Sequence, residues 1–168
     1  MAHDVASTKF EITEVLYRYC RSLDRMDEDL YATVFAPGAP LDYGEHFRGT
    51  AEEFCTWVWS AHRGMQAHSH QIANVLVDVS ADGRRAVSEA YVTVCLRTEP
   101  DASGVVRDIV DRGRYLDRWE QQADGTWRIT VRRFLGDIQQ VFDMTGLPAC
   151  TVRRDPSDPS VELFGSLR

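Results

Sequence analysis

Lysine is all but missing from this chain: Lys9 is the only one, and every other member of the 19 basic residues is arginine. A Schiff-base enzyme or a Walker-type phosphate loop needs a lysine at a defined place, whereas Lys9 falls at the entry of the first helical stretch, so both chemistries are set aside. Cysteine is sparse and scattered. Cys20, Cys55, Cys95 and Cys150 form no CxxC pair and read as reduced thiols. No GxGxxG, GxSxG, HExxH or EF-hand loop occurs, which removes the common nucleotide, serine-hydrolase, zinc-protease and calcium signatures. No stretch approaches the roughly eighteen apolar residues of a membrane span. The first fifteen residues lack the basic start and long apolar run of a secretory leader, so a cytoplasmic protein with no membrane partner is expected. Acidic residues outnumber basic ones by 26 to 19, a net charge of −7, which argues against a phosphate-tracking surface and a nucleic-acid partner.

What is present is ordinary globular composition, 43% hydrophobic and 27% charged over 168 residues, enough for one core and too little for a separate cofactor domain. Thr8 and Glu11 have capping-box spacing, and Phe10, Val15, Leu16, Tyr19 and Leu23 follow at three- and four-residue steps, which predicts an amphipathic helix of roughly four turns. A short second helix fits residues 27–35, with Asp27 as its cap and Pro37–Gly38 as its stop. LDY at 41–43 is a brief extended piece. Thr50 and Glu53 make another capping box before a third helix, whose buried face is expected to be Phe54, Trp57, Val58 and Ala61.

From residue 68 the apolar period changes from helical to two. Ile72, Val75, Val77 and Val79 mark a strand, a turn at 81–83 makes a hairpin with 86–97, and a polar loop at 99–104 and a second turn at 123–125 delimit two more strands. Helices followed by antiparallel strands predict an α+β layer, with a twisted sheet curling around the helices and a conical pocket between them. One barrel-like domain is expected over residues 1–142, with a loop-like extension over 143–168.

Acid–base chemistry is what the residues allow. His68 and His70 lie two apart on one strand and so point to the same side, where either can face the pocket mouth. With His62 they raise the thought of a divalent metal, but no acidic residue falls at ligand spacing beside them, and no metal or other cofactor is expected. Asp24 ends the apolar stripe of the first helix, near the azimuth of Tyr19.

The runs LYRYCRSLDRMDEDLYATVFAPGA, FRGTAEEF, HSHQIANVLVDV and GRYLDRWEQQADGTWRITVRR together resemble the SnoaL-like branch of the nuclear-transport-factor-2-like superfamily, over about residues 8–140. That branch includes scytalone dehydratase, bile acid 7α-dehydratase and hexachlorocyclohexane dehydrochlorinase. The resemblance implies a cone-shaped α+β fold, three N-terminal helices on a strongly curved, mostly antiparallel sheet, in a homotrimer or homodimer. It also implies a cofactor-free lyase or isomerase in which Asp24 orients His70 as the base. Tyr19, Tyr43 and an arginine of the last strand then contact a small, cyclic, largely apolar substrate, with Trp57 and Phe134 lining the pocket. The arginine is ambiguous. Its distance from Trp127 selects Arg132, while the alternation of Trp127, Ile129 and Val131 turns Arg133 inward; a bulge would reconcile the two in favour of Arg132. The second acid–base residue that some relatives carry on the neighbouring strand is absent, since that stretch reads YVTVCLR around Thr93 and Cys95. The resemblance extends to non-catalytic assembly subunits, the β subunits of aromatic-ring dioxygenases, and to ligand-binding or polyketide-cyclase relatives.

Overall fold

In the computed structural model, which describes residues 4–148 and 150–166, α1 spans Val5–Arg25, α2 Glu28–Ala32 and α3 Ala51–Arg63. The leader reading at residues 1–3 and the tail reading at 149, 167 and 168 lie outside the described residues. Between α2 and α3 run two short strands, β1 (Pro40–Asp42) and β2 (Arg48–Thr50). Four long strands follow: β3 (Met65–Val79), β4 (Arg85–Thr98), β5 (Val106–Gln121) and β6 (Trp127–Met144). They form one six-stranded sheet in the order β2-β1-β6-β5-β4-β3. Every pairing is antiparallel except β1 with β6. Because β2 and β3 are free edges, the sheet is curled but not closed, which corrects the barrel expectation.

The caps explain where the helices begin. Asp27 accepts from the Leu30 N–H, and Thr50 and Glu53 exchange both capping-box hydrogen bonds, as the sequence predicts. The first helix differs. Its cap is Asp4, whose carboxylate accepts from the Ala6 and Ser7 N–H groups. Thr8 is therefore buried within a helix of 21 residues, about six turns. The phase shifts accordingly: Ile12 joins Leu16, Tyr19 and Leu23 in the core, while Phe10 is 67% exposed. In α3 the buried stripe is Ala51, Phe54, Val58 and His62, with Trp59 beside it. Trp57 is 40% exposed and Ala61 is exposed, so Phe54 and Val58 hold from the expected stripe and the other two positions do not. Apolar character at 57 and 61 mimics a helical face that Ala51 and His62 in fact complete.

Of the four register shifts in the long strands, two decide which side chains face inward. In β3, Ala73 pairs with Tyr91 and Leu76 with Glu89, so two residues oppose one, and Asn74 takes a left-handed φ of 47°. This keeps Ile72, Val75, Val77 and Val79 on one face and turns Leu76 out. In β6, Arg118 pairs with Val131 but Trp119 with Ile129, which leaves Thr130 as the extra residue. The bulge reverses the alternation, so Trp127, Ile129 and Arg132 all point inward and Arg133 outward. The conflict over the arginine is resolved by the bulge that the sequence called for.

The tail also departs from expectation. Beyond β6 the chain returns across the end of α1 and forms α4 (Pro159–Gly165), capped by Asp158. Arg21 donates to Ser160 Oγ at 3.1 Å, its guanidinium lies 4.7 Å from the Phe164 ring centroid, and Arg25 pairs with Asp158 at 3.6 Å. These contacts order a segment that its prolines alone mark as loop.

Gly113 sits in β5 opposite Gly136, where the Phe134 ring crosses the strand. A Cβ there would run into the Leu135 carbonyl oxygen and the Phe134 ring. Gly113→Ala is expected to lower stability by about 1–3 kcal/mol in urea unfolding, as overpacking does; a change within about 0.5 kcal/mol would contradict the close approach.

Candidate functional site

The last turn of α1 delivers Asp24 to the start of β3. Asp24 Oδ1 lies 2.7 Å from His70 Nδ1, and Oδ2 accepts the His70 backbone N–H at 3.0 Å. Burial opposes ionisation of this carboxyl, but the contacts with His68 and His70 and the His70 backbone N–H outweigh it and hold Asp24 at about 2. An ionised carboxylate only accepts, so His70 Nδ1 carries the proton in this contact, and in the neutral ring Nε2 is then the nitrogen with the lone pair. The two-residue spacing on β3 brings His68 to the same side, with its Nδ1 at 3.6 Å from Asp24 Oδ1.

His62 of α3 stacks on His68, ring centroids 4.1 Å apart. Burial, and then the neighbouring imidazoles, push His62 down to about 3; burial also lowers His68, against the pull of Asp24. Asp24, His68 and His70 are the group of potential metal ligands among the described residues, their donor atoms within 4.8 Å of one another. The acidic partner missing from the local sequence comes from α1, 46 residues before His70. A cation there would have to break the 2.7 Å contact and would meet Arg154, whose Nη1 is 3.1 Å from His68 Nε2. The donor set suits an acid–base pair better than a metal centre.

A cavity of about 300 Å³ reaches this pair, walled by Tyr17, Cys20, Arg21, Asp24, Arg25, His70 and Ile72. Helical spacing supplies the wall: 17, 21 and 25 form one ridge of α1, and 20 and 24 the next. Tyr17, Cys20, Arg21, Arg25 and Ile72 were not among the expected site residues, although that ridge spacing was there to be read. Burial and then the Asp24 charge push the Cys20 thiol up to about 12, so it is a neutral wall group and not a thiolate.

Tyr19, Tyr43, Arg132 and Phe134 come together, but not on that wall. The Tyr19 and Tyr43 hydroxyls are 2.8 Å apart. Tyr43 stacks between Phe54 (4.5 Å between centroids) and Phe134 (5.5 Å). Arg132 is fully buried, its guanidinium 4.3 Å from the Tyr19 ring centroid and 4.1 Å from that of Tyr115. Its Nε and Nη2 donate to Asp117 at 2.8 and 2.7 Å, a bidentate pair across β5 and β6. Burial opposes the charge on Arg132, but Asp117 holds it well above the ordinary arginine value. Burial raises both tyrosine hydroxyls, so they stay protonated. Asp117 is a site residue that sequence reasoning missed; the GRYLDRW run offered only its position opposite Arg132 in the hairpin. Arg132 Nη1 is buried without an acceptor among the described residues. Trp57 packs on Phe47 and Phe54, centroids 5.5 and 5.4 Å away, at the exposed side of this stack rather than facing Asp24 and His70 across a pocket. Phe35, Trp59 and Val77 belong to the core.

The model of the SnoaL-like domain matches residues 4–133. The chain belongs to the SnoaL-like family. This SnoaL-like protein is similar in structure to a candidate scytalone dehydratase from Novosphingobium aromaticivorans, at a TM-score of 0.68 and 18% identity over 86% of this chain and 92% of that one. A hexachlorocyclohexane dehydrochlorinase superposes at 0.69 with 14% identity, covering 84% and 92%. A Mycobacterium tuberculosis protein of unknown function superposes at 0.61 with 23% identity, covering 94% and 89%. No curated protein sequence matches the chain. These likenesses establish the nuclear-transport-factor-2-like fold. Among the described residues, no helix of this SnoaL-like protein is long and apolar enough to cross a membrane.

The depressed acidity of Asp24 has a pH signature. Its folded value lies below the ordinary carboxylate value of 3.8, so its stabilisation is complete above that value and is lost as pH falls toward 2. Urea unfolding should show an advantage of wild type over Asp24→Asn of about 2 kcal/mol at pH 6, shrinking steadily below pH 4. An advantage that stayed constant down to pH 2 would contradict the assignment.

Proposed function

We propose that the protein is a cofactor-free lyase or isomerase that removes a proton from carbon with His70 and uses Asp24 to orient it. The observation that carries this reading is the double grip of Asp24 on His70, at Nδ1 and at the backbone N–H of the same residue. Such a grip sets the tautomer, aims the ring and stabilises the imidazolium that forms. The acid lies beneath the ring and Nε2 makes no hydrogen bond among the described residues, an arrangement suited to accepting a proton rather than to binding through both nitrogens.

The substrate in this reading is a small, largely apolar cyclic molecule with an acidified C–H. Tyr17, Cys20 and Ile72 offer it apolar surface, and Arg21 and Arg25 put positive charge on the cavity wall. The C–H electron pair moves into a new double bond as the proton passes to Nε2. In elimination, a group β to that carbon leaves with its own bonding pair; in isomerisation, the proton returns at another carbon. The arginines then favour the enolate or the departing anion. The same proposal assigns Tyr19, Tyr43, Arg132 and Phe134, which do not line the cavity, to a deep end of the site, where the unpaired Arg132 Nη1 and the one tyrosine hydroxyl that does not donate to the other are the donors for a carbonyl oxygen. Thr93 and Cys95 provide no general acid, which favours leaving groups that depart as stable anions.

Self-association into a homodimer or homotrimer belongs to the same proposal. Its support is the far end of β6, where Ile138, Val141 and Phe142 are all about half exposed.

The test is a panel of cyclic β-substituted ketones and halides in deuterated water, followed by NMR for loss of the C–H signal and for product. Wild type should turn over at least one. His70→Ala should abolish turnover, and Asp24→Asn should reduce it by about a hundred- to ten-thousand-fold, while both retain the wild-type circular dichroism. Activity within about threefold of wild type in folded His70→Ala, on the scale of the effect a base should have, would remove the reading.

A further inference from the structure

Arg154 lies outside residues 4–133, which the SnoaL-like model matches, yet it reaches the centre of the histidine cluster. Its Nη1 donates to the His62 carbonyl at 2.7 Å and faces His68 Nε2 at 3.1 Å, while Nη2 donates to the Met65 carbonyl at 2.7 Å. Two backbone carbonyls, one at the end of α3 and one at the start of β3, fix the guanidinium in place. An arginine has donors and no acceptor, so the nitrogen of His68 that meets it must be bare. The single proton of a neutral His68 then sits on Nδ1, which faces Asp24 Oδ1 at 3.6 Å.

We propose that Arg154, carried in by the C-terminal segment, is a positioning residue that holds His68 as the neutral Nδ1–H tautomer and leaves His70 as the proton acceptor of the cluster. The proposal rests on the reading of His70 as the base. Without Arg154, two imidazoles would compete for one carboxylate. Either could take the Asp24 contact and either could hold the proton, so the base would be shared between a ring on the cavity wall and one that is fully buried. Groups facing His68 from each packed element agree with this. Asp24 of α1 is its only negative neighbour among them; His62 of α3 is stacked on it and kept neutral by burial; His70 lies on its own strand; Leu96 of β4 is opposite it; and Arg154 brings a fixed positive charge from the tail. A proton on Nε2 would face that charge at 3.1 Å. The same segment grips two cavity-wall residues, Arg21 through Ser160 and Phe164 and Arg25 through Asp158, so docking of the tail and setting of the tautomer are one event.

The test is read without substrate, by long-range proton–nitrogen correlation NMR on full-length protein with 15N-labelled histidines, assigned by single-histidine replacements. In wild type, His68 should show a bare Nε2 and a protonated Nδ1, and should not gain a second proton as pH is lowered through the range where a free imidazole titrates. Arg154→Met should let His68 take up a proton, with its midpoint raised by about one unit or more, and Arg154→Lys should restore the Nδ1–H form. A wild-type His68 with its proton on Nε2 would overturn the proposal, as would a folded Arg154→Met with unchanged His68 signals. The wild-type spectrum decides the tautomer by itself, so a variant that failed to fold would not shield the claim. Loss of the proposed lyase activity would leave these spectra unaffected, and a wrong tautomer at His68 would leave the effect of His70→Ala standing.

Discussion

The carboxylate of Asp24 is the point through which helix, strand and tail are joined. It closes the end of α1 against the start of β3, and both of its oxygens are occupied by one residue, His70. A buried charge is tolerated only where its acceptors are filled, so this arrangement dictates which way the strand must run past the helix and which nitrogen of the imidazole is turned away. The histidine two residues earlier on the strand then also turns toward the carboxylate, its Nδ1 3.6 Å from Oδ1, and Arg154 of the tail meets the other nitrogen of that ring. The proposed acid–base chemistry rests on this partly buried carboxylate, and the stacked His62 and the tail residue Arg154 both meet it through His68.

A second buried charge pair stands deeper in the fold. Arg132 and Asp117 neutralise each other across adjacent strands, and the rings of Tyr19, Tyr115 and Phe35 surround the guanidinium. Pairs of this kind add little net stability compared with apolar residues of the same volume, yet removal of one partner costs about 3–5 kcal/mol. Their retention makes sense where a fixed donor is wanted. Arg132 spends two nitrogens on Asp117, and its Nη1 has no acceptor among the described residues.

Much of this was legible in the residues. The change of period near residue 68 separated helices from sheet, and capping chemistry at Asp27 and Thr50 placed two helix starts. Two-residue spacing put His68 and His70 on one face. The resemblance, rather than any periodicity, joined Asp24 to His70. What escaped was set by contacts distant in sequence or by competition between equal local signals. Thr8 and Glu11 imitate a cap, but Asp4 lies earlier and caps a longer helix. Trp57 and Ala61 imitate a buried stripe, but packing selected Ala51 and His62. The carboxylate partners of the two key basic groups, Asp117 for Arg132 and Asp158 for Arg25, lie on other elements and follow no local spacing. Arg154 sits in a proline-rich stretch whose composition reads as loop, and only the fold brings it to His68.

The grip of Asp24 on the His70 ring is open to direct observation. A proton held between Nδ1 and a carboxylate 2.7 Å away is shielded from exchange and resonates downfield of the amide envelope in a one-dimensional proton spectrum. Wild-type protein at neutral pH should show this resonance, coupled to a histidine nitrogen and absent from both Asp24→Ala and His70→Ala. A wild-type spectrum without it, or a resonance that survives in folded Asp24→Ala, would contradict the account.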